Sequence, residues 1–373
     1  MKRTRMPQRL KQQFRRLDAL IRVYSPPRQA RVVFWDPADL PASSPSVATD
    51  SGEQPSTNAC NSRSSQQQVP QEDRDGLTAA PSRREIKQQA QRRWVGSVVE
   101  ALSDVFSAIW TNFIETSAEF QQASQLRPGS GGSRPGTDAK LVSNAFSSDQ
   151  LMSSRPSFRI HFRLLQEFSN SHALTDWENN AAVNAYIEQL KFDPMITECC
   201  TGLFNRLDVP TLQTVDSFVR TLRQVWFQPL ETNAGQPRCG YHHVCIGEFH
   251  SRSKSIGGMH NWFKYLLEEE KHNTRILNWW SYEKDLHLIS MKFNMKHPDF
   301  DAWYTKEKSS FLVGVPTDFE LLLFTVVTMV NPNRDTSIQI KDYEPLVVVP
   351  RSLKKTGSLV TAYFRESPKR ISG

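Results

Sequence analysis

The sequence has little of what would mark a disulfide-stapled, membrane-spanning or repeat protein. Only five cysteines occur in 373 residues, an odd number that includes the adjacent pair Cys199 and Cys200. That is no disulfide framework for a chain of this length. Long apolar runs are also missing. The longest, Leu321 to Val330, is about half of what a bilayer span requires. The stretch Leu17 to Tyr24 behind the basic start is short and interrupted by Asp18 and Arg22, so it does not read as a secretory core. No internal repeat is evident. These absences exclude a solenoid and predict an intracellular chain, cytoplasmic or nuclear, with no membrane span; secretion would require a different start codon.

Hydrophobic residues make up 38% and mean hydropathy is −0.53, which indicates a folded part diluted by polar sequence. The charge is unevenly placed. Residues 1–35 carry ten Lys or Arg against Asp18, a local +9 within an overall +7, so the rest of the chain sums to −2. The basic balance therefore belongs to an arm at residues 1–35, suited to non-specific nucleic-acid contact or nuclear import. A Ser-, Pro- and Gln-rich linker follows at 36–83. The expected folded domain is 84–373.

Within it, Trp94, Val98, Leu102, Val105, Phe106, Ile109, Trp110 and Phe113 recur at three- and four-residue steps, which predicts an amphipathic helix. A Gly- and Ser-rich loop is expected across 125–145. Residues 98–230 read as a helical lobe, and 231–365 as a β-rich lobe with strands at Tyr241–Glu248, Leu286–Phe293, Phe311–Val315, Leu346–Val349 and Leu359–Phe364. Helices are expected at His260–Glu270 and Phe319–Val330, the latter opened by a Thr317-x-x-Glu320 capping box. Helices first and strands later argue for an α+β fold with antiparallel sheets. Glu268, Glu269 and Glu270 read as a solvated helix face.

Four of the nine histidines, His242, His243, His250 and His260, fall within twenty residues, and histidine supplies acid, base and metal-ligand chemistry near neutral pH. If 241–248 is a strand, His243 and Cys245 share one face, and His242 and Glu248 share the other. Cys239-x-x-His242 has zinc-ligand spacing, but no second pair completes it.

Taken in order, the motifs resemble one family. Gly240-Tyr241-His242-His243-Val244-Cys245-Ile246-Gly247-Glu248 is similar to the first histidine motif of the EndoU family of uridylate-specific endoribonucleases, and Gly258-Met259-His260-Asn261-Trp262 resembles its second. Lys306 followed by Ser310 and an apolar-Gly-Val stretch resembles the catalytic-lysine strand, and Thr361-Ala362-Tyr363 the closing strand. The resemblance covers about residues 98–365, most strongly 218–330. It implies His260 as general base, His243 as general acid and Lys306 as charge stabiliser, with Lys308 and Lys292 as nearby competitors for the last role. It further implies Ser310 and Tyr363 as uracil contacts, Glu248 and Trp262 as supporting residues, and single-stranded, uridine-containing RNA as substrate, left with 2′,3′-cyclic phosphate ends. A monomer is favoured. The family's Mn²⁺ stimulation is expected as well, although His242 stands where the family carries glutamate. The rival expectation is a weakly active or inactive RNA-binding protein on the same scaffold.

Overall fold

A computed structural model describes residues 83–128, 140–170, 176–207, 209–230 and 238–365. The basic arm and nearly all of the linker, with part of the 125–145 loop, lie outside the described residues. Helix α1 (Arg83–Ile109) buries Val98, Ala101, Leu102, Val105, Phe106 and Ile109, most of the stripe that its three- and four-residue spacing predicts, whereas Trp94 near its start is exposed. It runs directly into a π-helical turn at Trp110–Ile114. Further α-helices follow at α2 (Ala118–Ala123), α3 (Ser148–Ser154), α4 (Pro156–Asn170), α5 (Ala181–Leu190) and α6 (Pro194–Leu207). A 3₁₀ turn at Pro210–Leu212 leads to α7 (Val215–Phe227).

Local chemistry sets several of these starts. Proline opens α4 and α6, where its missing N–H costs nothing. Asn180 caps α5 by accepting from the amides of Ala182 and Val183, both at 3.0 Å. Thr214 and Ser217 form a reciprocal capping box on α7.

The remaining elements are β1 (Glu248–His250), β2 (Ser255–Gly257), α8 (Trp262–Glu270), β3 (Thr274–Glu283), β4 (Leu288–Lys296), β5 (Trp303–Leu312), α9 (Thr317–Val330), β6 (Thr336–Ile338), β7 (Leu346–Ser352) and β8 (Leu359–Arg365). They form a five-stranded sheet in the order β1-β2-β5-β4-β3 and a three-stranded sheet β6-β7-β8. Pairing is antiparallel except between β2 and β5. This is the expected α+β arrangement, with helices first and sheets second.

Helix α9 is buried at every position but Met329, as befits a helix that is apolar all round. It ties the two lobes together through polar groups as well as packing. Trp226 Nε1 of α7 donates to Thr325 Oγ1 at 2.8 Å, and Tyr186 of α5 donates to Asp318 Oδ1 at 2.7 Å. Among the described residues no helix is long and apolar enough to cross a membrane.

Three expectations are corrected. The segment before β1 is not a strand: residues 242–246 form a π-helical turn closed by the Gly247 amide on the His242 carbonyl at 2.9 Å. Val244, Cys245 and Ile246 are buried in succession, which a two-residue alternation cannot accommodate. The α9 capping box does not form, because Thr317 lies inside the helix behind Pro316 and receives a hydrogen bond from Asn261 instead. Nor is the acidic run of α8 solvated. Glu268 and Glu269 are buried, and Glu269 accepts from the backbone amides of Leu141 and Ser143 at 2.8 and 2.5 Å. Its neighbour Glu270 accepts from the amide and hydroxyl of Ser148. The carboxylates of α8 thus anchor the segment entering α3.

Glu269→Ala strips the buried Leu141 amide and the part-buried Ser143 amide of their acceptor and is expected to cost about 2–3 kcal/mol. A urea titration checks this: the midpoint falls while the slope holds, and an unchanged midpoint contradicts the anchoring role.

Candidate active site

The first histidine motif and the second are joined through their backbones. The π-helical turn presents the carbonyls of His243 and Val244, which accept from the amides of Met259 at 2.9 Å and His260 at 2.6 Å. Gly258 makes this approach possible. Its φ is +62°, and a Cβ there would lie 1.8 Å from the His243 carbonyl oxygen. Met259 follows, also left-handed at φ 61°, a conformation that disfavours side-chain-bearing residues by about 1 kcal/mol or more.

Glu248 sits at the start of β1, immediately after Gly247 (φ 90°). Because residues 242–246 are not a strand, the alternation that would separate Glu248 from His243 does not apply. The two meet directly, with His243 Nδ1 at 3.3 Å from Glu248 Oε1. Arg238, unnoticed in the sequence because it belongs to no motif, places Nη1 at 2.7 Å from Glu248 Oε2. Burial works against the Glu248 charge, but the hydrogen bond and charge of His243, then Arg238 and His242, outweigh it and hold the carboxyl at about 2. A permanent anion therefore faces the His243 ring and orients it.

His260 is only 7% exposed. Burial pushes its imidazole well below the ordinary value, and the charges of Lys306 and His243 push the same way, so the ring is neutral at physiological pH. Its face stacks on Tyr363 of β8, with centroids 5.1 Å apart and planes at 23°. Its Nδ1 lies 3.1 Å from Ser309 Oγ, and that hydroxyl donates to the Met259 carbonyl at 2.6 Å.

Strand β5 supplies the lysine. Lys306 is 8% exposed, and burial lowers its ammonium to about 8, while Glu248 acts in the opposite direction. The ammonium is still charged at neutral pH. Lys308 is exposed, and Lys292 pairs with Glu307 at 2.7 Å, so neither shares this buried setting. His260 is tied to the His243 turn through the backbone, His243 pairs with Glu248, and the charge of Lys306 is felt at His260 and that of Glu248 at Lys306, so the four groups share one neighbourhood.

Ser310 is placed differently from Ser309. In β5, Phe293 pairs with Lys306 and Met291 with Ser309, so Glu307 and Lys308 together oppose Lys292 in a β-bulge. Phe293 and Met291 lie on one face of β4, which puts Lys306 and Ser309 on that face of the sheet and Ser310 on the other. The Ser310 hydroxyl donates to the Phe364 carbonyl and so braces β8 beside Tyr363.

Trp262 supports the site from below. It is fully buried, and its indole donates to the Val315 carbonyl at 2.6 Å. Asn261 caps α8 through Lys264 N–H at 2.9 Å and donates to Thr317 and Glu320. His161, whose imidazole burial lowers to about 3, contacts Tyr241 and Asn261 and links the helical lobe to both histidine motifs.

The donors do not fit a divalent metal. Both oxygens of Glu248 are engaged by His243 and Arg238, and residue 242 is an imidazole. Among the described residues no cluster of three His, Cys, Asp or Glu side chains is arranged to hold an ion, which also leaves the zinc reading without a ligand set. Burial raises the Cys239 thiol to about 12 and pushes that of Cys245 up as well, so both stay protonated.

A buried neutral imidazole, a second imidazole paired with a carboxylate and a buried ammonium define an acid–base centre with a place for a developing negative charge. The chain belongs to the family described as endoribonuclease XendoU, whose model matches residues 101–364. It is similar to a poly(U)-specific endoribonuclease of Xenopus tropicalis, 29% identical over 161 residues, covering 40% of this chain and 50% of that protein. Uridylate-specific endoribonuclease C of Danio rerio is 24% identical over 303 residues, 74% of this chain and 90% of the relative. The solved structure of XendoU, titled a splicing independent snoRNA processing endoribonuclease, shares the fold with a TM-score of 0.53 at 20% identity, covering 72% of this chain and 97% of that one.

Gly258→Ala should separate the two motifs, because the methyl group would collide with the His243 carbonyl at a positive φ. A cost of about 2 kcal/mol or more is expected. Thermal unfolding should show a midpoint roughly 5 °C lower or worse; an unchanged midpoint would contradict the close approach.

Proposed function

We propose that this chain cleaves single-stranded RNA on the 3′ side of uridines by transesterification. The observation that carries the reading is the environment of His260: a buried, neutral ring within the influence of both the Lys306 charge and the His243–Glu248 pair. RNA brings its own nucleophile. In the proposed step His260 takes the proton of the 2′-hydroxyl, and the 2′-oxygen attacks the adjacent phosphorus. The bond to the 5′-oxygen breaks, and protonated His243 supplies the proton that the departing oxygen needs. Lys306 stabilises the charge that builds on the non-bridging oxygens. The products are a 2′,3′-cyclic phosphate and a 5′-hydroxyl.

Uridine preference and an RNA substrate are supported by relatives named as uridylate-specific and poly(U)-specific endoribonucleases. Tyr363, half-buried against His260, is placed to contact the uracil ring. Ser310 donates to the Phe364 carbonyl and so braces the strand that carries Tyr363, and its oxygen keeps a lone pair able to accept from the uracil ring.

A defined oligonucleotide with one uridine tests the reading. Cleavage is expected only there, and 2′-deoxyuridine at the same position should block it. His260→Ala and His243→Ala should each lower kcat by about 10²–10⁴-fold. No cleavage of the ribonucleotide, or equal cleavage of the deoxy variant, contradicts the mechanism.

The pH dependence carries its own sign. The charged form of Lys306 is the active one, and it disappears as pH rises through about 8. His260 stays neutral well below pH 6.5, so it imposes no loss between pH 6 and 8. A kcat/KM profile should therefore fall on the alkaline side from about pH 8; a rate that keeps climbing to pH 10 would contradict the role of Lys306.

A further inference from the structure

Neither histidine motif contains Ser309, and no role follows for it from the catalytic-lysine motif, where Ser310 is the serine that stands in register. The bulge at Glu307–Lys308 nonetheless turns Ser309 to the face of Lys306, and its hydroxyl lies between two groups of the second histidine motif. It is 2.6 Å from the Met259 carbonyl oxygen and 3.1 Å from His260 Nδ1. A serine hydroxyl has one proton, and a carbonyl oxygen can only accept. At 2.6 Å the proton must lie between Oγ and the Met259 oxygen, since two oxygens that close without one would repel. The contact with Nδ1 can then be a hydrogen bond only if the ring nitrogen donates.

We infer that Ser309 is a positioning residue that holds His260 in the Nδ1–H tautomer, leaving the lone pair on Nε2 as the nitrogen that takes the 2′-hydroxyl proton. This deepens the reading of His260 as the base and rests on it. The same hydroxyl secures the left-handed Met259 whose amide reaches the His243 carbonyl. One side chain thus sets both the turn that delivers His260 and the nitrogen that His260 presents. Stacking on Tyr363 restrains the tilt of the ring but is indifferent to its tautomer, which leaves that choice to Ser309. The effect of a second-sphere group on ring orientation and tautomer is well established for imidazoles that act as bases or ligands.

Imidazole ¹⁵N chemical shifts in the full chain test the tautomer without RNA. The wild-type His260 should show a protonated Nδ1 and an unprotonated Nε2 between pH 6 and 8. Ser309→Ala removes the acceptor, so the resonances should move toward the Nε2–H form or a mixture. In the uridine oligonucleotide assay kcat should then fall about 10–100-fold with little change in KM. Ser309→Thr, which keeps the hydroxyl, should restore both signatures, whereas a purely structural role would not follow the hydroxyl in this way. If Ser309→Ala does not fold, the wild-type shifts and the threonine variant still decide. A wild-type ring that cuts RNA while protonated at Nε2 overturns the Ser309 role alone, as does an alanine variant with unchanged shifts and kcat. A chain with the expected tautomer that cuts no RNA overturns the cleavage reading instead.

Discussion

The site depends on one backbone contact: the carbonyls of His243 and Val244 receive the amides of Met259 and His260 across a glycine that has no room for a side chain. Everything chemical follows from it. The two imidazoles come from segments separated by β1 and β2, and neither segment alone contains an acid–base pair. Short strands β1 and β2 fold the chain back on itself so that Glu248 pairs with Gly257. The two hydrogen bonds that follow Gly258, from Met259 and His260, then fix the spacing of the rings. Strand β5 lies beside β2, where Ser255 faces Thr305, and this places Lys306 against the same cluster.

Burial does different work on each group. It removes the charge from His260, because the nearby cations offer no compensation. It weakens but does not remove the charge of Lys306, because Glu248 offsets part of the penalty. Glu248 remains anionic despite burial, held by His243 and Arg238. A single carboxylate thus supports both cationic partners, and the loss of a second carboxylate at position 242 is compatible with that arrangement. Arg238 supplies fixed positive charge on the far side of Glu248 and adds to the larger contribution of His243 in keeping the carboxyl anionic.

Much of this was legible in the sequence, and the failures share a cause. The helical spacing over most of α1 and the helices-then-strands order are found as expected, because they rest on local periodicity, and His243, His260, Lys306 and Tyr363, picked out by linear patterns, come together in the fold. What was misread depends on irregular backbone. The π-helical turn at 242–246 broke the alternation that had set Glu248 apart from His243. The β-bulge at Glu307–Lys308 likewise interrupts alternation and turns Ser309 to the face of Lys306, a placement that no linear pattern announces. Glu269 was misread as solvated because its partners, at residues 141–143, lie far away in the chain, whereas Glu268 is covered by its near neighbours Lys264 and Asn273. Arg238 carried no signal beyond its charge. Two consecutive serines gave no hint of which faces the site, although a strand holding two buried polar neighbours is a cue that alternation is interrupted.

The central claim is that two imidazoles and a lysine carry out transesterification using the RNA's own 2′-oxygen. Mass analysis of the end groups left on a cleaved single-uridine oligonucleotide tests this most directly. The geometry predicts a 2′,3′-cyclic phosphate on the uridine fragment and a 5′-hydroxyl on the other. A 5′-phosphate opposite a free 3′-hydroxyl would mean that water attacked from outside, and would contradict it.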